Sequence, residues 1–220
     1  MTTKPGAKPR AIIFDWDNTL VDTWETIHEA LVGTLERMGH QAWTLAETKS
    51  RVARSLRHSF PELFGPRWEE ARQIYLDSYA AIHLERLTAL PGAAAMLTTL
   101  HGAGYYLAVV SNKTGASLRK EAEHIGWDRY FRRLVGAGDA RADKPDPAGF
   151  DVALAGSGIA PDRGVWYVGD TALDMQSAHQ AGLTGVLLGE PHSNLVDLAK
   201  FPPDMRFPDC DAFVRHLGAM

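Results

Sequence analysis

The sequence predicts an α/β fold, a doubly wound parallel sheet with a small α-helical cap inserted after the first strand. Three observations carry this reading. Short, continuous apolar runs recur along the chain, the pattern of strands buried on both faces. Helical stretches separate those runs, and such alternation builds a parallel sheet from right-handed βαβ units. One long segment, residues 22–88, is helical throughout and breaks the alternation.

In chain order, the first nine residues contain Pro5 and Pro9, are basic and read as a flexible leader. Ala11–Phe14 is the first strand and ends at Asp15. Trp24, Ile27, Leu31, Leu35 and Met38 recur at helical spacing, and Gly39 ends that helix. Val52, Leu56 and Phe60 predict a second helix that stops near Pro61. Trp68, Ala71, Tyr75, Tyr79 and Ile82 predict a third, opened by Pro66 in its first turn. The Leu90-Pro91-Gly92 turn marks the return to the core. Strands follow at Leu107–Val110, Leu134–Val135, Val165–Val168, Gly185–Leu188 and, more weakly, Met205–Phe207. Between and after them run helices at Gly92–Ala103, Ala116–Ile125, Pro147–Ser157, Leu173–Ala181 and Asp209–Leu217. The domain division expected is therefore a core of residues 10–21 and 89–220, interrupted by a cap of residues 22–88.

The 220 residues suffice for one sizeable α/β core with a small insert. A hydrophobic share of 45% with 23% charged residues marks a globular chain. The net charge of −4 offers no basic surface for nucleic acid or an anionic membrane, so neither partner is expected. An anionic substrate would need positive charge supplied locally. Cys210 is the single cysteine, which excludes an internal disulfide and suits a reducing cytoplasm. No apolar stretch reaches signal-peptide or membrane-spanning length. A monomer and a homodimer both remain open.

Ligands of open α/β sheets gather at the carboxyl ends of the strands. Asp15, Asp17, Asn18 and Thr19 follow the first strand, and Ser111, Asn112 and Lys113 follow the second. The loop after the third carries Asp143, Lys144, Pro145 and Asp146. Gly169, Asp170, Thr171 and Asp174 follow the fourth. Either acidic motif alone arises by chance in such a chain with a probability of roughly 0.04. Together, each behind an apolar strand, they are specific. Four carboxylates in one cleft repel one another, and a divalent cation with hard oxygen ligands relieves that repulsion.

In these residues the chain resembles the haloacid dehalogenase superfamily, in its phosphatase branch with a helical cap, the phosphoglycolate-phosphatase-like group. Asp15-x-Asp17-x-Thr19, Ser111, Lys144 with Pro145, and Gly169-Asp170-x-x-x-Asp174 match its four motifs in order. The resemblance implies a Rossmann-like core and a magnesium-dependent phosphatase acting on a small phosphorylated metabolite through an aspartyl-phosphate. It implies that Asp15 is the nucleophile and Asp17 the general acid and base. Asp15, Asp170 and the main-chain carbonyl of Asp17 would hold magnesium. Asp174 would hold water or Lys144 in place, while Thr19, Ser111, Asn112 and Lys144 would bind phosphate. An acid at position 17 separates phosphatases from the dehalogenases, which lack it. Asn18 departs from the family's usual glycine, but asparagine tolerates left-handed backbone.

In the cap, Arg51, Arg54 and His58 share a helix face. That face either receives an anionic substrate or is simply solvated. His28 reads as a satisfied core histidine, and Trp24, Trp68 and Tyr75 as cap core. His179 and Cys210 carry no role. Alternatives to a phosphoglycolate-like substrate are a sugar phosphomutase, a nucleotide or pyrophosphate hydrolase of the same fold, and an inactive binding protein.

Overall fold

Ala11–Phe14 (β1) is fully buried at the centre of a six-stranded sheet in the computed structural model, which describes residues 8–52, 54–190 and 195–220. The leader expected over the first nine residues lies almost wholly outside the described residues. After β1 come Val21–Asp22 (β2) and four helices, Trp24–Arg37 (α1), Leu45–Arg51 (α2), Leu56–Phe64 (α3) and Trp68–Ile82 (α4). Thr88–Ala89 (β3), Ala93–Gly102 (α5), Tyr106–Thr114 (β4), Gly115–His124 (α6) and Arg133–Ala137 (β5) follow. The chain continues through Ala148–Leu154 (α7), Val165–Gly169 (β6), Ala172–Gln180 (α8) and Thr184–Leu188 (β7). It ends in Leu195–Lys200 (α9), Met205–Phe207 (β8) and Cys210–Gly218 (α10).

The sheet order is β5-β4-β1-β6-β7-β8, with every neighbouring pair parallel. From β1 the chain first builds outward through β4 and β5, then returns to place β6 on the other side. The strand order therefore reverses at β1, and the crevice at its carboxyl end is where such sheets bind ligands. Successive residues of a strand face opposite sides. Ile12 and Phe14 accordingly pack with Met96, Leu97, Leu118 and Phe213 on one side. Ala11 and Ile13 pack with Phe150, Ala153 and Leu183 on the other.

The helical insert hangs from a narrow neck, where β2 and β3 pair antiparallel through Val21 with Ala89 and Asp22 with Thr88. Leu31, Leu35 and Met38 of the expected α1 stripe meet Phe60, Phe64 and Ala71 in a separate apolar cluster. Two local expectations are corrected. The second helix begins at Leu56, so Val52 lies outside it, and it continues past Pro61 to Phe64. Proline costs that helix one hydrogen bond. Phe60 and Phe64 compensate by burying the same face with their ring centroids 5.0 Å apart. Gly65, at φ 55°, then ends the helix. The second correction is α2, which its polar sequence concealed. Thr44 and Glu47 form a reciprocal capping box at its start. His28 bonds Thr48 of this helix at 2.9 Å, the satisfied role expected of it.

The strand expected at Leu107–Val110 extends to Thr114 as β4, with its pairing irregular between Val110 and Thr114. That irregular stretch carries Ser111, Asn112 and Lys113. Among the described residues no helix is long and apolar enough to cross a membrane.

Candidate active site

Asp15 stands at the carboxyl end of β1, its backbone N–H donating to the Val168 carbonyl of β6 at 2.8 Å. The next turn needs one left-handed residue, and Asn18 supplies it at φ 59°. Its side-chain oxygen accepts from the Thr23 N–H at 3.2 Å. Asn18 thus does here what glycine does by lacking a side chain. On β6, Gly169 leads into Asp170. A Cβ on Gly169 would sit 2.4 Å from the Asp174 carboxyl carbon, so only glycine lets that carboxylate pass.

Asp174 is fully buried in the first turn of α8, and both of its carboxylate oxygens have polar partners. Oδ2 accepts from the Thr171 N–H at 3.0 Å and the Thr171 hydroxyl at 2.6 Å. Oδ1 lies 2.7 Å from Lys144 Nζ and 3.0 Å from the Tyr167 hydroxyl. Lys144 Nζ also lies 3.1 Å from Asp15 Oδ2 and donates to Tyr167 at 2.8 Å. Burial would discharge this lysine, but Asp15 and Asp174 outweigh it and hold the ammonium charged, well above the ordinary lysine range.

Asp15, Asp170 and Asp174 each offer a carboxylate oxygen, and these lie within 4.8 Å of one another. Thr19 donates to Asp170 Oδ1 at 2.9 Å. Asp15 Oδ1 and Asp170 Oδ2 are buried and accept no hydrogen bond. Such orphaned anionic oxygens are costly. Burial pushes Asp15 up to about 6, against Lys144 and with the help of Asp174 and Asp17. Burial, with Asp174 and Asp15, pushes Asp170 well above the carboxylate range. All-oxygen donors that cannot all stay charged unaided fit a hard divalent cation.

Asp17 points into the same cavity with its Oδ1 fixed. Lys113 Nζ lies 2.8 Å from that oxygen, and the Thr23 hydroxyl donates to it at 2.7 Å. Burial, assisted by Glu121, raises the Asp17 carboxyl, while Lys113 and Thr23 oppose the rise. The cavity is lined from the sheet by Asp15, Asp17, Ser111, Asn112, Lys144 and Asp170. From the insert come Trp24 and Ile27 of α1, Tyr75 and Tyr79 of α4, and Arg54. Asn112 also donates to the Lys144 carbonyl at 3.3 Å.

The structure thus gathers Asp15, Asp17, Ser111, Asn112, Lys144 and Asp170 around one cavity, with Asp174 behind Lys144. Thr19 is brought to Asp170 rather than to the cavity wall. Of the three basic insert residues, Arg54 reaches the cavity, where it pairs with exposed Glu62 at 3.0 Å through Nη1. Arg51 lies over the Trp43 ring at 4.6 Å, and His58 bonds Ser55 at 2.9 Å. Trp24 and Tyr75, expected only as core of the insert, also face the cavity. Glu121, Tyr167, His83 and Arg57 lie outside every motif of the sequence. Glu121 was visible as an acid on the apolar face of α6, between Leu118 and Ala122. Arg57 forms a two-pronged ion pair with Asp143, the residue before Lys144, and so joins α3 to the core.

A family model described as haloacid dehalogenase-like hydrolase matches residues 12–188, most of the chain and every strand end described above. The chain belongs to the haloacid dehalogenase-like hydrolases. This hydrolase is 29% identical to a phosphoglycolate phosphatase of Cereibacter sphaeroides, over 94% of this chain and 99% of the relative. It is 25% identical to pyrophosphatase PpaX of Listeria welshimeri, over 94% of this chain and 97% of that one. Among solved structures, a haloacid dehalogenase-like family hydrolase from Streptococcus pneumoniae superimposes with a TM-score of 0.83 at 23% identity, covering 94% of this chain and 98% of that one. A hydrolase of the same superfamily from Ehrlichia chaffeensis gives 0.64 at 29% identity, covering 96% and 97%.

Proposed function

We propose that this hydrolase is a magnesium-dependent phosphatase that cleaves a small phosphate monoester through an aspartyl-phosphate on Asp15. The observation that carries this reading is the pair of orphaned oxygens, Asp15 Oδ1 and Asp170 Oδ2, on two carboxylates of one buried acidic cluster, with Lys144 on the other oxygen of Asp15. Asp15, Asp170 and the main-chain carbonyl of Asp17 would hold magnesium. When bound, the ion would shield the approach of a carboxylate to an anionic phosphate and neutralise charge in the transition state.

The protein's own groups then divide the work. Lys144 fixes Asp15 Oδ2 and lends positive charge, and Asp174, locked by Thr171, fixes Lys144. Ser111 and Asn112 present hydrogen-bond donors to the phosphate. Asp15 attacks phosphorus in line with the leaving group. The bond from phosphorus to the ester oxygen breaks, and Asp17 gives that oxygen its proton. Asp17 then takes a proton from the water that attacks the aspartyl-phosphate, releasing phosphate and free Asp15. Thr19 serves by holding Asp170. The helical segment 22–88 acts as a cap that excludes water and frames the leaving group.

A carboxylated monoester such as phosphoglycolate is the first substrate to test, given the relatives' names and Arg54 in the cavity. Glu62, the partner of Arg54, is exposed and can be displaced by a substrate carboxylate. A panel of phosphate monoesters with pyrophosphate and a nucleotide, assayed for free phosphate, tests the reading. Turnover that EDTA abolishes and magnesium restores is expected. Turnover of no ester, or turnover indifferent to EDTA, contradicts it. Preference for pyrophosphate would move the substrate toward the PpaX-like relatives while keeping the chemistry.

A further inference from the structure

Glu121 lies outside every motif, yet its carboxylate is fully buried and receives four donors. Trp16 Nε1 donates at 2.7 Å, Tyr79 OH at 2.9 Å, His83 Nδ1 at 2.7 Å and Lys113 Nζ at 2.8 Å. A buried carboxylate persists only when paired this fully. The donors come from three places. Trp16 sits between Asp15 and Asp17, and Lys113 follows Ser111 and Asn112 on β4. Tyr79 and His83 belong to the end of α4 in the insert.

Lys113 extends the network to the chemistry. Its Nζ bridges Glu121 and Asp17 Oδ1, at 2.8 Å from each, and packs against the Tyr79 ring. Lys113 and Thr23 both bind Oδ1, which leaves Oδ2 of Asp17 for the cavity. A carboxyl that must hand a proton to a leaving oxygen needs this arrangement, with one oxygen anchored and the other carrying the proton outward.

We propose that Lys113 is a positioning residue for Asp17, held in place by Glu121, and that contact between α4 and Glu121 makes this placement depend on the insert being seated on the core. The proposal rests on the reading of Asp17 as the general acid. Removing Lys113 leaves the Thr23 hydroxyl alone on Oδ1 and loosens the hold on the Asp17 carboxyl.

Two esters separate this role from a structural one. Ethyl phosphate leaves as an alkoxide and needs the proton, whereas para-nitrophenyl phosphate leaves as a stabilised phenolate and does not. With magnesium present, Lys113→Met is expected to lower kcat/KM for the ethyl ester about 100-fold, and for the aryl ester less than about tenfold. Glu121→Gln and Tyr79→Phe lower the same ratio by smaller factors. The ratio is taken within one protein sample, so partial unfolding cancels from it. In an Asp17→Asn background, Lys113→Met then changes the rate by less than about threefold, because its target is gone. Equal losses on both esters, or additive losses in the double variant, overturn the positioning role. An unchanged ratio in Tyr79→Phe overturns the dependence on the insert. A wild type that hydrolyses neither of these esters nor any member of the wider phosphate panel overturns the phosphatase reading and the proposal with it. A wild type that hydrolyses both, with variants that keep its ratio, overturns the proposal alone.

Discussion

Replacing Asp15, the proposed nucleophile, by its amide is expected to abolish turnover and to make the metal-free protein more stable at neutral pH. Burial, Asp174 and Asp17 outweigh Lys144 and carry the Asp15 carboxyl from 3.8 to about 6. The folded chain therefore binds more protons here than the unfolded chain between those values. The stability this carboxyl contributes is fully present below about 3.8 and is lost as pH rises through about 6. At pH 7 the penalty for keeping Asp15 ionised is on the order of 3 kcal/mol. At pH 5 it is about half of that. Asp15→Asn removes the charge with little change in shape. In EDTA the variant should gain on the order of 2–3 kcal/mol over wild type at pH 7 and about half as much at pH 5. Urea unfolding followed by tryptophan fluorescence at both pH values measures the difference. Adding magnesium should stabilise wild type much more than the variant, because the ion relieves the same penalty. A variant less stable than wild type at pH 7 in EDTA would refute the reasoning. So would an increment that does not change with pH.

Other substitutions probe the remaining parts. Lys144→Met leaves Asp174 and Asp15 without their cation and is expected to destabilise the fold by about 3–5 kcal/mol. Its kcat should fall about 100- to 1,000-fold, read from phosphate release at a temperature where the variant remains folded. Arg54→Ala should raise KM for phosphoglycolate about tenfold or more, while KM for ethyl phosphate changes little. Equal changes for the two esters would leave Arg54 without a part in substrate binding. The single helix face expected for Arg51, Arg54 and His58 does not form, because Arg51 ends α2, His58 lies in α3 and Arg54 falls between them.

The strand-end residues were legible because they obey a local rule, in which polar groups directly behind an apolar strand face the crevice of a parallel sheet. Asp15 and Asp170 directly follow β1 and β6, Ser111 lies in the irregular last part of β4 and Lys144 in the loop after β5, and the sheet topology brings them together. The α1 stripe from Trp24 to Met38 was legible for the same kind of reason, a period that burial enforces. Residues whose partners lie far along the chain were not. Glu121 meets Tyr79 and His83 only because α4 docks on the core, and nothing near position 121 reports that. Pro61 misled because a helix stop is a local signal, whereas the burial of Phe60 and Phe64 is a tertiary one. The motif resemblance points Thr19 toward phosphate, whereas its hydroxyl donates to Asp170. Residue type specifies a donor, and the surrounding packing decides which acceptor it meets.

The central claim is that Asp15 carries the phosphoryl group during turnover. Quenching the enzyme during hydrolysis of a good substrate and reducing it with borohydride converts an aspartyl-phosphate to homoserine. Peptide mass spectrometry should find homoserine at position 15 in the wild type, and none in Asp15→Asn or in enzyme quenched without substrate. Turnover of the substrate with Asp15 unmodified, or with homoserine at another aspartate, would contradict it.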